Sequence, residues 1–302
     1  MTSSAKGDAD QHPLAARFVD GPHVSVPDQA EQRLADSLTA LAPEQAAVVN
    51  DLTGRFPLAR TILSGIAESS PYLFDLVRAD ATRFVRLLEC HPESYLPLLI
   101  EKTCLGVSAA ADEADVMQLL RRMKSEAALL IALCDIGGVW PVQQVTAALT
   151  DIAVASVQSA LRFLLRQEAG RGRITATNLD NPEDNSGLVV LAMGKMGAGE
   201  LNYSSDIDLI VFFDPAAPTL APDIEPQPFF VRLTQGLARL LQQRTGDGYV
   251  FRVDLRLRPD PASTQVAIST AAALHYYERE GRTWERAAMI KARPCAGDAR
   301  AG

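Results

Sequence analysis

The 302-residue chain is 47% hydrophobic and 22% charged, the balance of a folded protein with room for two ordinary domains, which excludes disorder of the whole. A net charge of -8 and a pI near 5.1 argue against nucleic acid as the main partner, because a long polyanion demands a dominant basic surface. Cys90, Cys104, Cys134 and Cys295 are scattered without a C-x-x-C pair, so no zinc cage is expected and reduced thiols in a cytoplasm fit best.

Residues 1–29 mix Ser, Asp, His and Pro without an apolar core and are expected to form a disordered leader, neither signal peptide nor anchor. Residues 30–168 have a helical pattern, with breaks at Pro43, Pro57, Pro71, Pro92 and Gly137-Gly138. Their last helix is the clearest, since Val145, Leu149, Ile152, Ala153, Ala160 and Leu164 recur on one face. The longest apolar run, Ala127 to Cys134, is short of the roughly 18 residues that span a bilayer, so no membrane crossing is expected.

Residues 169–187, rich in Gly, Asn and Asp, are expected to link this helical domain to a second one over 188–302. Leu188–Met193 and Ile207–Phe213 are apolar runs of strand length. A proline-rich loop follows, then a helix carrying Phe230, Leu233, Leu237, Leu240 and Leu241 and ended by Gly246. A third strand is predicted over Tyr249–Arg258, where Phe251, Val253, Leu255 and Leu257 alternate with Arg252, Asp254, Arg256 and Arg258. Residues 270–291 are helical in tone, with Trp284 expected in the core, whereas Pro294–Gly302 shows no core residue and suggests a piece of a longer chain. The class is therefore α+β, a helical domain followed by a small mixed sheet flanked by helices.

The chemistry concentrates in the second domain. Asp206 and Asp208 stand two residues apart at a strand start, so their side chains share a face at a spacing of roughly 6 to 7 Å. Asp254 lies on another strand among arginines, a placement that suggests a charged ligand. Three convergent aspartates suit Mg²⁺, or Mn²⁺ in its place, in phosphoryl-type transfer. Ahead of them Gly194-Lys195-Met196-Gly197-Ala198-Gly199 forms a turn that lets backbone N–H groups approach phosphate, and Ser204 and Ser205 add hydroxyls. Arg256 is the preferred phosphate partner of its stripe, while Arg252 and Arg258 also suit a solvated outer face. The turn departs in spacing from the G-x-G-x-x-G of dinucleotide folds and lacks the Gly-Lys-Ser/Thr end of a P-loop.

The stretch Gly194-Lys195-Met196-Gly197-Ala198-Gly199-Glu200-Leu201-Asn202-Tyr203-Ser204-Ser205-Asp206-Ile207-Asp208-Leu209-Ile210 resembles the signature of glutamine synthetase adenylyltransferases, members of the polymerase-β-like nucleotidyltransferase superfamily. Arg252–Pro259 and Tyr276–Pro294, which contains Lys291 as a further phosphate candidate, resemble later blocks of that family in the same order. Ala192 and Ala198 stand where the family has glycine. The resemblance implies a polymerase-β-like catalytic domain in which Asp206, Asp208 and Asp254 hold the metal. Because residues 1–193 precede the motif, it implies the N-terminal, adenylyl-removing version, in which phosphate releases AMP as ADP from a tyrosine of glutamine synthetase. A nitrogen-signalling protein of the PII type is implied as partner. ATP-dependent adenylylation by the same site, or a regulatory binding role, is the alternative.

Overall fold

The fold, taken from a computed structural model, is described for residues 12–176 and 178–298. It divides into two compact units, Met1–Ile100 with Met123–Val145, and Glu101–Arg122 with Thr146–Gly302.

In the first unit α1 (Leu14–Arg17), α2 (Pro27–Thr39), α3 (Pro43–Arg55), α4 (Pro57–Ser69), α5 (Pro71–Ala79) and α6 (Ala81–Glu89) follow one another closely. Proline opens α2, α3, α4 and α5 at the first helical turn, where its missing N–H costs nothing and its fixed φ starts the helix. Ser70 and Asp80 cap α5 and α6 by accepting from the backbone N–H of Leu73 and Arg83. The divisions between units fall inside three long helices, α7 (Pro92–Ala109), α8 (Glu113–Ile136) and α9 (Val142–Gly170).

Residues 12–29 are not the disordered segment expected of them. Leu14, Ala15 and Phe18 are buried, Leu14 N–H donates to Cys90 at 2.9 Å, Val19 N–H donates to Gly137 at 3.0 Å, and Arg17 pairs with Glu93 at 2.7 Å. Three apolar residues are too few to show a period, yet enough to anchor a short helix. Residues 1–11 of that expected leader lie outside the described residues.

The second unit carries β1 (Leu188–Ala192), the single turn α10 (Gly194–Gly197), β2 (Ile207–Phe213), α11 (Pro226–Gln242), β3 (Val253–Asp254), β4 (Ala267–Ser269), α12 (Thr270–Arg279), α13 (Thr283–Met289) and β5 (Arg293–Gly297). The sheet is mixed, as the class requires. Its order is β3-β2-β1-β5, antiparallel at β1–β2 and β1–β5, while β3 and β4 both run parallel to β2, at its start and its end. The expected stripe on α9 is buried in full, from Val145 to Leu164. By length and composition α9 would suffice to cross a bilayer, contrary to the expectation drawn from uninterrupted apolar runs. However, 78% of its most apolar window is buried, the pattern of a core helix.

Four further expectations need correction. The strand predicted over Tyr249–Arg258 is only two residues long, because the Arg256 N–H turns back onto the Asp254 carboxylate at 2.8 Å and leaves the ladder. Helix α11 stops at Gln242, not Gly246, since buried Arg121 gathers the carbonyls of Leu240, Gln243 and Gly248. Residues 294–297, the start of the stretch read as coreless, belong to β5 with Cys295 buried, and Gln158 donates to the Cys295 carbonyl at 2.8 Å. Trp284 is half exposed, because the face of α13 that is buried carries Glu285, which accepts from the Tyr276 hydroxyl at 3.0 Å and caps its own helix. All four cysteines are free thiols.

Candidate active site

The site grows from the crossing of β1 and β2. Their branched and aromatic residues pair in the register Leu188↔Phe213 to Ala192↔Leu209, and the Met193 N–H continues the ladder onto the Asp208 carbonyl at 2.9 Å. β1 then leaves the sheet through Gly194, whose φ of +54° favours glycine. A Cβ there would stand 2.9 Å from an Asp208 carboxylate oxygen, so the turn lies directly against the second aspartate. Gly197 is needed for a different reason: a Cβ would meet the Lys291 carbonyl at 1.9 Å and the Ala192 carbonyl at 2.5 Å, both backbone.

Asp206 immediately precedes β2 and Asp208 is its second residue. The parallel register sets Asp208 opposite Asp254, and the Ile207 N–H donates to the Arg252 carbonyl at 2.9 Å. The structure therefore brings the two aspartate segments together as adjacent strands. Burial, then the charges of Asp254 and Asp206, raises the Asp208 carboxyl above the usual range, with no hydrogen bond among its causes. Hydrogen bonds from Arg256 hold Asp254 below it. Such crowding of like charge beside a small-residue turn is what a divalent cation relieves, and three carboxylates are oxygen donors of the type a hard cation takes. As the side chains stand, no group of three or more His, Cys, Asp or Glu among the described residues forms a metal-ligating cluster. Asp206 is instead bonded by Arg252, and Asp254 accepts from Arg256 Nε at 3.0 Å.

The other expected residues are distributed around this centre. Lys195 reaches the Asn202 side-chain oxygen at 3.4 Å, its charge also bearing on Asp208. The Ser205 hydroxyl donates to the same oxygen. Ser204, at φ +56°, offers its carbonyl to Arg252 at 2.7 Å. The ammonium of Lys291 pairs with Glu200 at 3.3 Å, and its backbone carbonyl abuts Gly197. It stands on the turn's side of the site and bonds no aspartate.

Asn202 was not among the expected site residues, and Arg252 was expected only as one of the stripe's arginines, suited to phosphate or to a solvated outer face. Asn202 joins Lys195 to Ser205, and Arg252 ties Asp206 to the Ser204 carbonyl and the Tyr249 hydroxyl. Arg252 was legible in principle: it precedes Asp254 by two residues on the same face of the stripe. Asn202 had no periodic signal.

Comparison with known proteins shows the family of the chain. The family model described as Glutamate-ammonia ligase adenylyltransferase matches residues 62–302. Two relatives named bifunctional glutamine synthetase adenylyltransferase/adenylyl-removing enzyme, from Bradyrhizobium sp. strains BTAi1 and ORS 278, are 72% and 73% identical over all of this chain and 31% of their own length. A third of that name, from Xanthobacter autotrophicus, is 53% identical over 97% of this chain and 30% of its own. The chain thus spans about a third of the length of the curated relatives it matches. It belongs to the glutamate-ammonia ligase adenylyltransferase family.

Proposed function

We propose that this chain carries a nucleotidyltransferase site of the adenylyl-removing kind, acting on a tyrosine of glutamine synthetase in the cytoplasm. The supporting observation is the parallel register that pairs Asp208 with Asp254 beside the Gly194 turn, in a chain whose relatives are named for both adenylyl transfer and removal. Removal is favoured over addition because the motif follows a long helical region from residue 30 onward, the arrangement the resemblance associates with the N-terminal site.

In the reaction, an oxygen of hydrogen phosphate attacks the phosphorus of the adenylyl-tyrosine. A P–O–P bond forms, the bond from phosphorus to the tyrosine oxygen breaks, and the phosphate's proton ends on that oxygen, giving ADP and free tyrosine. Asp206, Asp208 and Asp254 would hold Mg²⁺ or Mn²⁺, which when bound offsets charge on the phosphoryl oxygens and the departing tyrosinate. The Gly194 turn lets backbone approach a phosphate group, and Lys195 and Arg256 supply positive charge at its edge. Lys291, paired with Glu200, would reach the phosphate only by leaving that partner.

The test is the intact mass of adenylylated glutamine synthetase after incubation with this protein, Mg²⁺ and phosphate, with ADP measured in parallel. Loss of AMP matched by ADP is expected. AMP gained by unmodified glutamine synthetase from ATP, without phosphorolysis, would overturn removal in favour of addition. Asp208→Ala should abolish turnover while circular dichroism and the unfolding midpoint stay close to wild type, and full activity in that variant would sink the assignment of the aspartates.

A further inference from the structure

Three guanidiniums stand along the stripe from Arg252 to Arg258, and they are held in two ways. Arg258 is locked into its loop, donating to the carbonyls of Leu255 at 2.7 Å, Pro261 at 2.9 Å and Thr264 at 3.1 Å. Arg256 instead places its fork on the Asp254 carboxylate, while Arg252 donates to Asp206 through Nε alone, their side chains 83% and 53% exposed. Arginine side chains this exposed can turn away with little loss of packing, although the Asp254 carboxylate that Arg256 covers is itself only 16% exposed. Arg252 has additional partners in the Ser204 carbonyl at 2.7 Å and the Tyr249 hydroxyl at 3.1 Å, so it is the more firmly held of the two.

We propose that Arg252 and Arg256 are exchangeable counter-ions: a divalent cation taken up by Asp206, Asp208 and Asp254 displaces both guanidiniums, which then turn to the phosphoryl oxygens of the nucleotide. This rests on the reading of the aspartates as metal ligands. Charge supports it, since two guanidiniums and one divalent cation carry the same charge against three carboxylates. Geometry supports it too. The arginine fork matches a phosphate as well as a carboxylate, so a displaced guanidinium has a second partner of the same shape within the site. Cation and nucleotide binding are thereby coupled: the cation frees the arginines, and the arginines, once on phosphate, no longer compete for the carboxylates. Arg258, with its donors on backbone carbonyls, takes no part.

The experiment follows Mn²⁺ binding to the 302-residue chain by electron paramagnetic resonance without nucleotide, then ADP binding at saturating Mn²⁺ by calorimetry. Arg252→Gln and Arg256→Gln should each bind Mn²⁺ roughly three- to tenfold more tightly than wild type, having lost a competing cation. Each should bind ADP roughly tenfold more weakly. Arg252→Lys and Arg256→Lys, which keep the charge without the fork, should restore wild-type Mn²⁺ affinity but not ADP affinity. A positioning role for the arginines predicts the opposite sign, looser Mn²⁺ binding in the glutamine variants. That result, or unchanged Mn²⁺ binding in both, overturns the exchange. Asp208→Asn separates the two readings: Mn²⁺ binding lost there but unmoved by the arginine variants overturns the exchange alone. Mn²⁺ binding that Asp208→Asn leaves intact overturns the metal reading together with the exchange.

Discussion

The helical unit and the sheet unit are held by different kinds of residue. Up to Ile100 the first is built from short helices, started by prolines and Ser or Asp caps and closed by ordinary apolar burial. Its polar anchor, in which Glu93 accepts from both Arg17 and Trp140, joins helix ends that are already in place. The sheet unit depends on single residues that replace whole stretches of regular structure. Arg121, 1% exposed, donates to the carbonyls of Met117, Leu240, Gln243 and Gly248. Gly297, at φ +99°, allows β5 to approach the Leu188 carbonyl, which a Cβ would meet at 2.1 Å. Where many equivalent residues share the work, losing one is tolerated; where one residue satisfies several backbone groups, its loss spreads.

That contrast orders three experiments. Arg121→Met should have the largest effect, about 3 kcal/mol, because an apolar chain of similar length leaves the Leu240 and Gln243 carbonyls without their buried donor and takes one donor from those of Met117 and Gly248. Urea unfolding measures it, and a loss under 1 kcal/mol would break the comparison. Glu93→Gln in the helical unit should cost less, about 1 to 2 kcal/mol at neutral pH. Burial pushes the Glu93 carboxyl up, but the hydrogen bonds from Arg17 and Trp140 together outweigh it and hold it at about 2. A depressed carboxyl stabilises the fold above its unfolded value, about 4.3, and loses that contribution as pH falls through about 2. The gap between wild type and Glu93→Gln should therefore close across that window, and a constant gap would show that the charge is not what holds the pair. Pro43→Ala should be smallest, about 0.5 kcal/mol, since alanine keeps the helix start and only loosens the unfolded chain. A midpoint shift as large as that of Glu93→Gln would mean that α3 rests on its first turn more than on its buried face.

How much was legible follows from the same distinction. The proline breaks, the α9 stripe, the two central strands and the D-x-D pair were read from local pattern, and helices and strands formed where that pattern was periodic. The short anchor at Leu14–Phe18, the truncation of the third strand and the strand β5 were not, because each is too brief for a period and depends on a partner distant in sequence. At the site, the residue types were legible but their present partners were not. An aspartate in a sequence carries no mark that an arginine 46 residues later will occupy it, as Arg252 occupies Asp206.

The sequence by itself determined the periodic elements, the placement of Asp206 and Asp208 at the start of β2 and the family, because backbone propensity and side-chain alternation act between near neighbours. Only the tertiary structure decided that Asp208 and Asp254 stand side by side, that Arg252 and Arg256 hold two of the three carboxylates, and that Arg258 is bound to its own loop. Those outcomes depend on register between strands far apart in the chain. Long-range register is set by burial of the whole sheet rather than by any local run of residues.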